Sequence, residues 1–428
     1  MKKTLLIALM GLSSLCTFAQ KYVGGDISLL PKYEKAGAKY YEKDGKSIAS
    51  PLAFFKEQGM NAMRLRLFVA PSKNTGVDKD ENVCQDLDYI KTLGKRIKDA
   101  GFKLMLDFHY SDTWADPGKQ WTPSAWKDLT DAQLQQKIYD YTKDVLQQMI
   151  AAGAEPDMIQ TGNEISYGML WGTRAAVGNS NTNRCYPSSP SANWTRFTNL
   201  LKQATKACRE VCPQAKIIIH TERTSTSQQN DNKNYAALSN FYTKMKNAGI
   251  DYDIIGLSYY PYFHGAISEL EGAINTLEQN FSDKNIMVVE FGYPYAWEVP
   301  GTTYKYPNYV SKYAYSDAGQ QALTSDVINM LNKHSKVNGL FWWWMEYNAK
   351  GTSLSGWYNA PLFDSQTGKA TSALYEMKNF LDTSAGIEQI TQDEKTDDNW
   401  YTLSGNKIQK PTQKGIYIKG NKKIAIKQ

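Results

Sequence analysis

Eight strand patterns alternate with eight helix patterns along residues 22–381, and this alternation limits the fold more than any other feature of the chain. Short apolar runs bounded by turn residues read as buried strands. Longer stretches with apolar residues three and four apart read as helices packed on one face. The strand patterns cover 22–26, 61–68, 103–109, 158–164, 216–221, 254–261, 286–290 and 339–344. The helix patterns cover 51–58, 87–100, 131–152, 193–212, 235–248, 266–281, 318–336 and 372–381. Ser50 caps the first helix, and Gly59, Gly101 and Gly249 stop three of them. Strictly alternating strands and helices call for a parallel sheet. Eight such units closing on themselves give an α/β fold, the (β/α)8 TIM barrel. Long polar segments follow the strands and short ones precede them, so the chemistry is expected at the strand C-termini.

Two strands end on a glutamate. Met158-Ile159-Gln160-Thr161-Gly162-Asn163-Glu164 surfaces on an amide and a carboxylate, and Ile286-Met287-Val288-Val289-Glu290 on a carboxylate. One strand-terminal glutamate often does no more than meet solvent or cap the next helix. Two of them in one barrel, with an asparagine before one, fit the acid/base and nucleophile of a retaining glycosidase. Glu164 is then the proton donor, with its carboxyl held protonated by its surroundings, and Glu290 the ionised nucleophile. Arg66, in an alternating strand, is expected beside Glu290. Asn163 is expected to donate to the sugar 2-hydroxyl, Tyr259 to bond the nucleophile, and Trp343 to floor the reacting sugar. Aromatics make up 12% of the chain. Trp114, Trp121, Trp126, Trp171, Trp297 and Trp357 lie in polar, loop-like sequence, as faces for sugar stacking would.

The start, Lys2-Lys3, an apolar run from Leu5 to Leu12 and Thr17-Phe18-Ala19, reads as a signal peptide over residues 1–19. Leu15 before Cys16 argues against a lipid anchor, which wants a small residue there. An exported protein is expected, whether periplasmic, cell-surface or secreted. No other run is long enough to span a membrane. The formal charge of +6 falls to +4 without the leader, and the tail carries +3 of that. A nearly neutral body excludes a nucleic-acid surface and suits an uncharged substrate. Cys84, Cys185, Cys208 and Cys212 remain, with three pairings open if all are bridged and plain buried thiols as the alternative. Cys208 and Cys212 share a helix face, but nothing completes a zinc site. The barrel is placed at 20–384. Residues 385–428 read as a polar linker and a small β-hairpin tail, which looks like the short C-terminal β-segments of secreted proteins of Gram-negative, Bacteroidetes-type bacteria.

Longer motifs narrow the chemistry. Gly25-Asp26, Arg64-Leu65-Arg66, Thr161-Gly162-Asn163-Glu164, Ser258-Tyr259-Tyr260-Pro261 and Val289-Glu290 accompany a long run, Asp107-Phe108-His109-Tyr110-Ser111-Asp112-Thr113-Trp114-Ala115-Asp116-Pro117. In these pieces the chain resembles glycoside hydrolase family 53, the arabinogalactan endo-β-1,4-galactanases, from Gly24 to about Leu381. Asn-Glu alone would indicate only the wider clan, whereas the long run is specific to the family. The resemblance implies retaining endo-hydrolysis of β-1,4-galactan, such as the type I arabinogalactan side chains of pectin. Glu164 is implied as acid/base and Glu290 as nucleophile, with His109, Asp112, Trp114, Asn163, Tyr259, His264 and Trp343 lining subsites. A monomer working without a cofactor is expected. Some bacterial members bind calcium through a loop after the seventh strand, but residues 293–315 lack such a ligand cluster and no metal is expected. Trp344 stands where a carboxylate is expected. The alternatives are a clan relative cutting β-1,4-mannan or glucan, or a non-catalytic glycan-binding protein. Both glutamates being present argues against the last.

Overall fold

The computed structural model describes residues 20–73, 79–174, 183–228, 235–296, 312–348, 360–382, 399–402, 407–411, 415–419 and 422–426. The leader with Cys16, Trp297 and Trp357, most of the linker and residues 297–311 of the candidate calcium loop lie outside them. Eight parallel strands close a barrel: β1 (Tyr22–Asp26), β2 (Ala62–Leu67), β3 (Lys103–Phe108), β4 (Met158–Thr161), β5 (Lys216–Thr221), β6 (Ile254–Tyr259), β7 (Asn285–Phe291) and β8 (Val337–Trp342). Each strand pairs with its sequence neighbours, and β8 pairs with β1. The intervening helices are α1 (Pro51–Glu57), α2 (Leu87–Asp99), α3 (Asp131–Ala151), α4 (Ser191–Val211), α5 (Ala236–Asn247), α6 (Ile267–Asn280) and α7 (Asp317–Leu331), with α8 (Ser372–Glu376) closing the ring.

Side-chain alternation sorts the strands into two cores. Leu65, Leu106, Ile159, Ile219, Leu257, Val288 and Leu340 face the helices in the large outer core. Ala62, Met105, Met158, Ile218, Ile254, Met287 and Phe341 fill the barrel interior. Above that apolar plug, towards the strand C-termini, the inward residues turn polar. Asp26, Arg64, Arg66, Asp107, Gln160, His220, Ser258 and Glu290 are all buried there. At the opposite end, Asn61, Asp157 and Asp253 each precede an even-numbered strand. Each accepts a backbone N–H from the preceding odd strand: Val23 at 2.8 Å, Leu104 at 2.9 Å and Ile217 at 2.8 Å. These bonds satisfy donors that the start of a parallel ladder leaves open. Gly24 is required where β1 meets β2, since a Cβ there would sit 1.7 Å from the Ala62 carbonyl oxygen.

The strand patterns overran the sheet where function begins. β4 ends at Thr161 and not at Glu164, and β6 at Tyr259, followed by a single helical turn, Pro261–His264. The final helix tightens into a 3-10 turn at Met377–Leu381. A two-stranded ribbon, Tyr40–Tyr41 with Ser47–Ile48, had no clear signal in the sequence. The chain packs as two units, Met1–Thr383 and Ser384–Gln428. The second contains an antiparallel sheet of four strands, Trp400–Tyr401, Lys407–Ile408, Gly415–Lys419 and Lys422–Ile426, and not the expected hairpin alone. Cys84, Cys185, Cys208 and Cys212 are free thiols. No described helix is long and apolar enough to cross a membrane.

Candidate active site

A cavity of about 820 Å³ opens at the C-terminal ends of the strands. Glu164 and Glu290 both line it, with Asn163, Tyr260, His264, Trp114, Trp343 and Trp344. The chain reaches Glu164 through a sharp turn after β4, with Gly162 at φ 99° and Glu164 itself at φ 47°. That left-handed conformation is unfavourable for a glutamate, and such strain gathers at functional positions.

One guanidinium organises the floor. Arg64 Nη1 donates to Asp26 Oδ2 at 3.0 Å. Arg64 Nη2 stands 2.7 Å from Asp107 Oδ2, 3.0 Å from Asn163 Oδ1 and 3.0 Å from Glu290 Oε1. Arg64 thus holds the place beside Glu290 that the sequence reading gave to Arg66. Both arginines face inward, two residues apart, and a period-two pattern does not say which one reaches across to β7. Arg66 instead donates to Asp26 Oδ1 at 2.9 Å and lies against the rings of Trp343 (4.7 Å), Trp114 (4.9 Å) and Trp344 (5.5 Å). It braces the aromatic floor from behind.

A second correction concerns the tyrosines. Tyr260, not Tyr259, bonds the nucleophile candidate, its hydroxyl donating to Glu290 Oε2 at 2.8 Å. Tyr259 belongs to the outward set of β6 and donates to the Gly265 carbonyl at 2.9 Å. His109 and Asp112 also stand behind the cavity wall. His109 Nδ1 accepts from Ala115 N at 3.1 Å, while Nε2 lies 3.1 Å from Asp107 Oδ2. Asp112 accepts from Ser124 N and Oγ, both at 2.8 Å, and ties the loop after β3 together. Of the eight expected binding residues, Trp114, Asn163, His264 and Trp343 line the cavity, whereas Arg66, His109, Asp112 and Tyr259 do not.

The sequence reading missed three participants. Glu222, next after β5, lines the cavity and is hydrogen-bonded to Ser166. His220 and Ser258 form the wall behind Glu164: Ser258 Oγ donates to Glu164 Oε1 at 2.6 Å, and His220 Nε2 lies 2.8 Å from Ser258 Oγ. The available signal was the inward parity of both residues on β5 and β6, which became readable only once the strand register was known. Trp344 has φ 54°, and its indole lies in the cavity wall. The carboxylate expected near it is two residues on. Glu346 is buried, accepts from Leu29 N at 2.8 Å, and has its carboxyl pushed up to about 8 by burial and by Asp26.

The two cavity carboxyls differ in their electrostatics. Burial, then the charges of Glu290 and Glu222, hold the Glu164 carboxyl well above the ordinary value, against the pull of Ser258. Burial raises Glu290 too, but Arg64 and the Tyr260 hydroxyl oppose it. Glu290 is therefore the first of the pair to ionise, and its charge keeps the proton on Glu164. Burial lowers His264 to about 3, so its ring is neutral, with Nδ1 accepting from Tyr260 N at 3.0 Å. Among the described residues no group of three His, Cys, Asp or Glu side chains is placed to hold a metal ion.

The family model "Glycosyl hydrolase family 53" matches residues 22–377. The chain is 31% identical over 353 residues to a probable arabinogalactan endo-beta-1,4-galactanase A of Neosartorya fischeri, covering 79% of this chain and 89% of that one. A solved catalytic domain of the same family from Ignisphaera aggregans superposes with a TM-score of 0.70 at 31% identity, covering 85% of this chain and 96% of that domain. A structure from a study of two fungal beta-1,4-galactanases superposes with a TM-score of 0.67 at 28% identity, covering 84% of this chain and 99% of that one.

Proposed function

Because the chain belongs to glycosyl hydrolase family 53, we propose that it is a retaining endo-hydrolase of β-1,4-galactan, including the arabinogalactan side chains of pectin. The observation that carries this reading is the pair of unlike carboxyls in one cavity, Glu290 held by Arg64 and Tyr260, Glu164 held by neither. In the first step Glu290 attacks the anomeric carbon while Glu164 gives its proton to the departing glycosidic oxygen. A covalent glycosyl-enzyme forms, and the shortened chain leaves. Glu164, now ionised, takes a proton from water, which displaces Glu290 and restores the β configuration. The reaction calls for no cofactor. Asn163 Nδ2 donates to the Ala115 carbonyl at 2.8 Å and its Oδ1 accepts from Arg64, so its amide is fixed beside the reacting sugar. Trp343 and Trp344 both line the cavity, where their ring faces can carry a sugar. We further propose that the protein acts as an exported monomer, with residues 1–19 removed. Product sizing tests the function. Galactan should give mixed oligosaccharides and a rapid fall in viscosity in the first minutes, with little turnover on β-1,4-mannan or cellulose. Galactose as the only early product would contradict the endo assignment.

The Tyr260 hydroxyl favours the ionised form of Glu290. Tyr260→Phe should raise the Glu290 carboxyl, so the acid limb of kcat/KM moves to higher pH, by roughly one unit. An acid limb identical to wild type would place Glu290's control elsewhere.

A further inference from the structure

Glu164 is held at two points by one pair of buried side chains. His220 Nδ1 lies 3.3 Å from the backbone nitrogen of Glu164, and Ser258 Oγ donates to the carboxyl oxygen Oε1 of the same residue at 2.6 Å. The two holders are joined through His220 Nε2 and Ser258 Oγ at 2.8 Å, and both are fully buried. We propose that His220 and Ser258 are positioning residues of the acid/base: they clamp Glu164 in its left-handed backbone conformation and occupy Oε1, so that the transferred proton is carried on Oε2.

Donor accounting fixes the direction of the chain. Ser258 has one hydrogen, and it goes to Oε1. Its oxygen must then accept from His220, which places the imidazole hydrogen on Nε2. Nδ1 is left as an acceptor for the Glu164 backbone N–H and for Gln160 Nε2 at 3.1 Å. Gln160 gives its other hydrogen to Asp107 Oδ1 at 2.6 Å. Asn163 Oδ1 also lies 3.1 Å from His220 Nδ1. A hydrogen on Nδ1 would be donated there, but it would leave the Glu164 backbone N–H facing a second donor, so the acceptor role of Nδ1 is set by Glu164. Burial and the neighbouring Arg64 charge keep His220 neutral, as this arrangement requires. The single imidazole tautomer thus supports both the backbone and the carboxyl of Glu164. A continuous buried path also runs from Glu164 through Ser258, His220, Gln160, Asp107 and Arg64 to Glu290.

The charged groups Glu290, Glu222 and Asp116 all raise the Glu164 carboxyl, and the titratable Tyr260 and the neutral His220 also stand beside it. Ser258 is the neighbour that opposes them. Its removal should therefore move the alkaline limb, which reports loss of the Glu164 proton, to higher pH.

This inference rests on the assignment of Glu164 as acid/base. The test compares full-length wild type, Ser258→Ala, Ser258→Thr and Glu164→Gln by pH profiles of kcat/KM on galactan, with melting temperatures measured alongside. Ser258→Ala should shift the alkaline limb up by roughly one unit and lower kcat, and Ser258→Thr, which keeps the hydroxyl, should restore the limb. An unmoved limb in a folded Ser258→Ala overturns the clamp. Should Ser258→Ala not fold, nitrogen-15 NMR of the wild-type imidazoles decides: His220 must be neutral with its hydrogen on Nε2, and a hydrogen on Nδ1 overturns the proposal. Glu164→Gln separates the two levels. If it keeps galactan turnover and the alkaline limb, the acid/base assignment falls and the clamp falls with it. If it loses turnover while Ser258→Ala leaves the limb in place, only the clamp falls.

Discussion

Glu290→Ala should lower galactan turnover by at least about 10⁴-fold, because Glu290 is the carboxyl of the cavity that Arg64 and Tyr260 hold for attack. Glu164→Ala should cost about 10²–10⁴-fold on galactan, the usual contribution of a positioned acid. The two variants should diverge on a nitrophenyl β-galactoside, whose leaving group needs little protonation. Glu164→Ala should still form the glycosyl-enzyme from that substrate and then stall, since no base activates water. Azide needs no base, so it should restore turnover and give a β-glycosyl azide. Glu290→Ala should remain inactive on both substrates without azide. With azide it can only be entered from the opposite face, giving the α-azide. An α-azide from Glu164→Ala, read by NMR, would mean that the two roles are exchanged.

Arg64→Met should destabilise the fold by about 3–5 kcal/mol, the scale for removing one partner from a buried ion pair. Arg64 has no exposed surface and lies between Asp26, Asp107 and Glu290, so its loss leaves Asp107 and Glu290 without that cation and Asp26 with Arg66 alone. The urea midpoint should fall with the slope unchanged. The effect has a pH signature. Burial pushes Asp107 up, but Arg64, with His109, pulls it below its ordinary value. A depressed carboxyl contributes stability that is present above its unfolded value, about 3.9, and lost as the pH falls through its folded value. The gap between wild type and variant should therefore be widest near neutrality and narrow on acidification. Equal stability at pH 7 would remove Arg64 from the centre of the floor.

The barrel was legible because its signal is repeated. Eight strand patterns, each followed by a helix pattern, leave few topologies, and all eight strands form where the apolar runs lie. Glu164 and Glu290 were legible because each ends an apolar run, and strand ends are where a barrel opens. What failed was parity at those same ends. Tyr259 and Tyr260 are adjacent: alternation from the inward Ser258 turns Tyr260 inward, and the extra residue on β7 at the register shift between Leu257 and Ser258 brings Glu290 opposite it. Arg64 and Arg66 have the same parity but different heights, and height across a closed barrel depends on stagger that sequence does not display. His109 and Asp112 lie in a polar loop typical of a binding surface, yet their bonds to Ala115 and Ser124 turn them inward. Glu222 and His220 carried no motif, Ser258 stood in one without an assigned role, and the importance of all three comes from neighbours far away in the chain.

The central claim is that Glu290 attacks the sugar and Glu164 serves it. The most direct measurement is mass mapping of the enzyme after reaction with a 2-deoxy-2-fluoro galactosyl substrate carrying a good leaving group, which slows release of the covalent intermediate. The account predicts a single added sugar on Glu290, within Asn285–Phe291. A sugar on Glu164, or an enzyme that turns over galactan yet is never labelled, would contradict it.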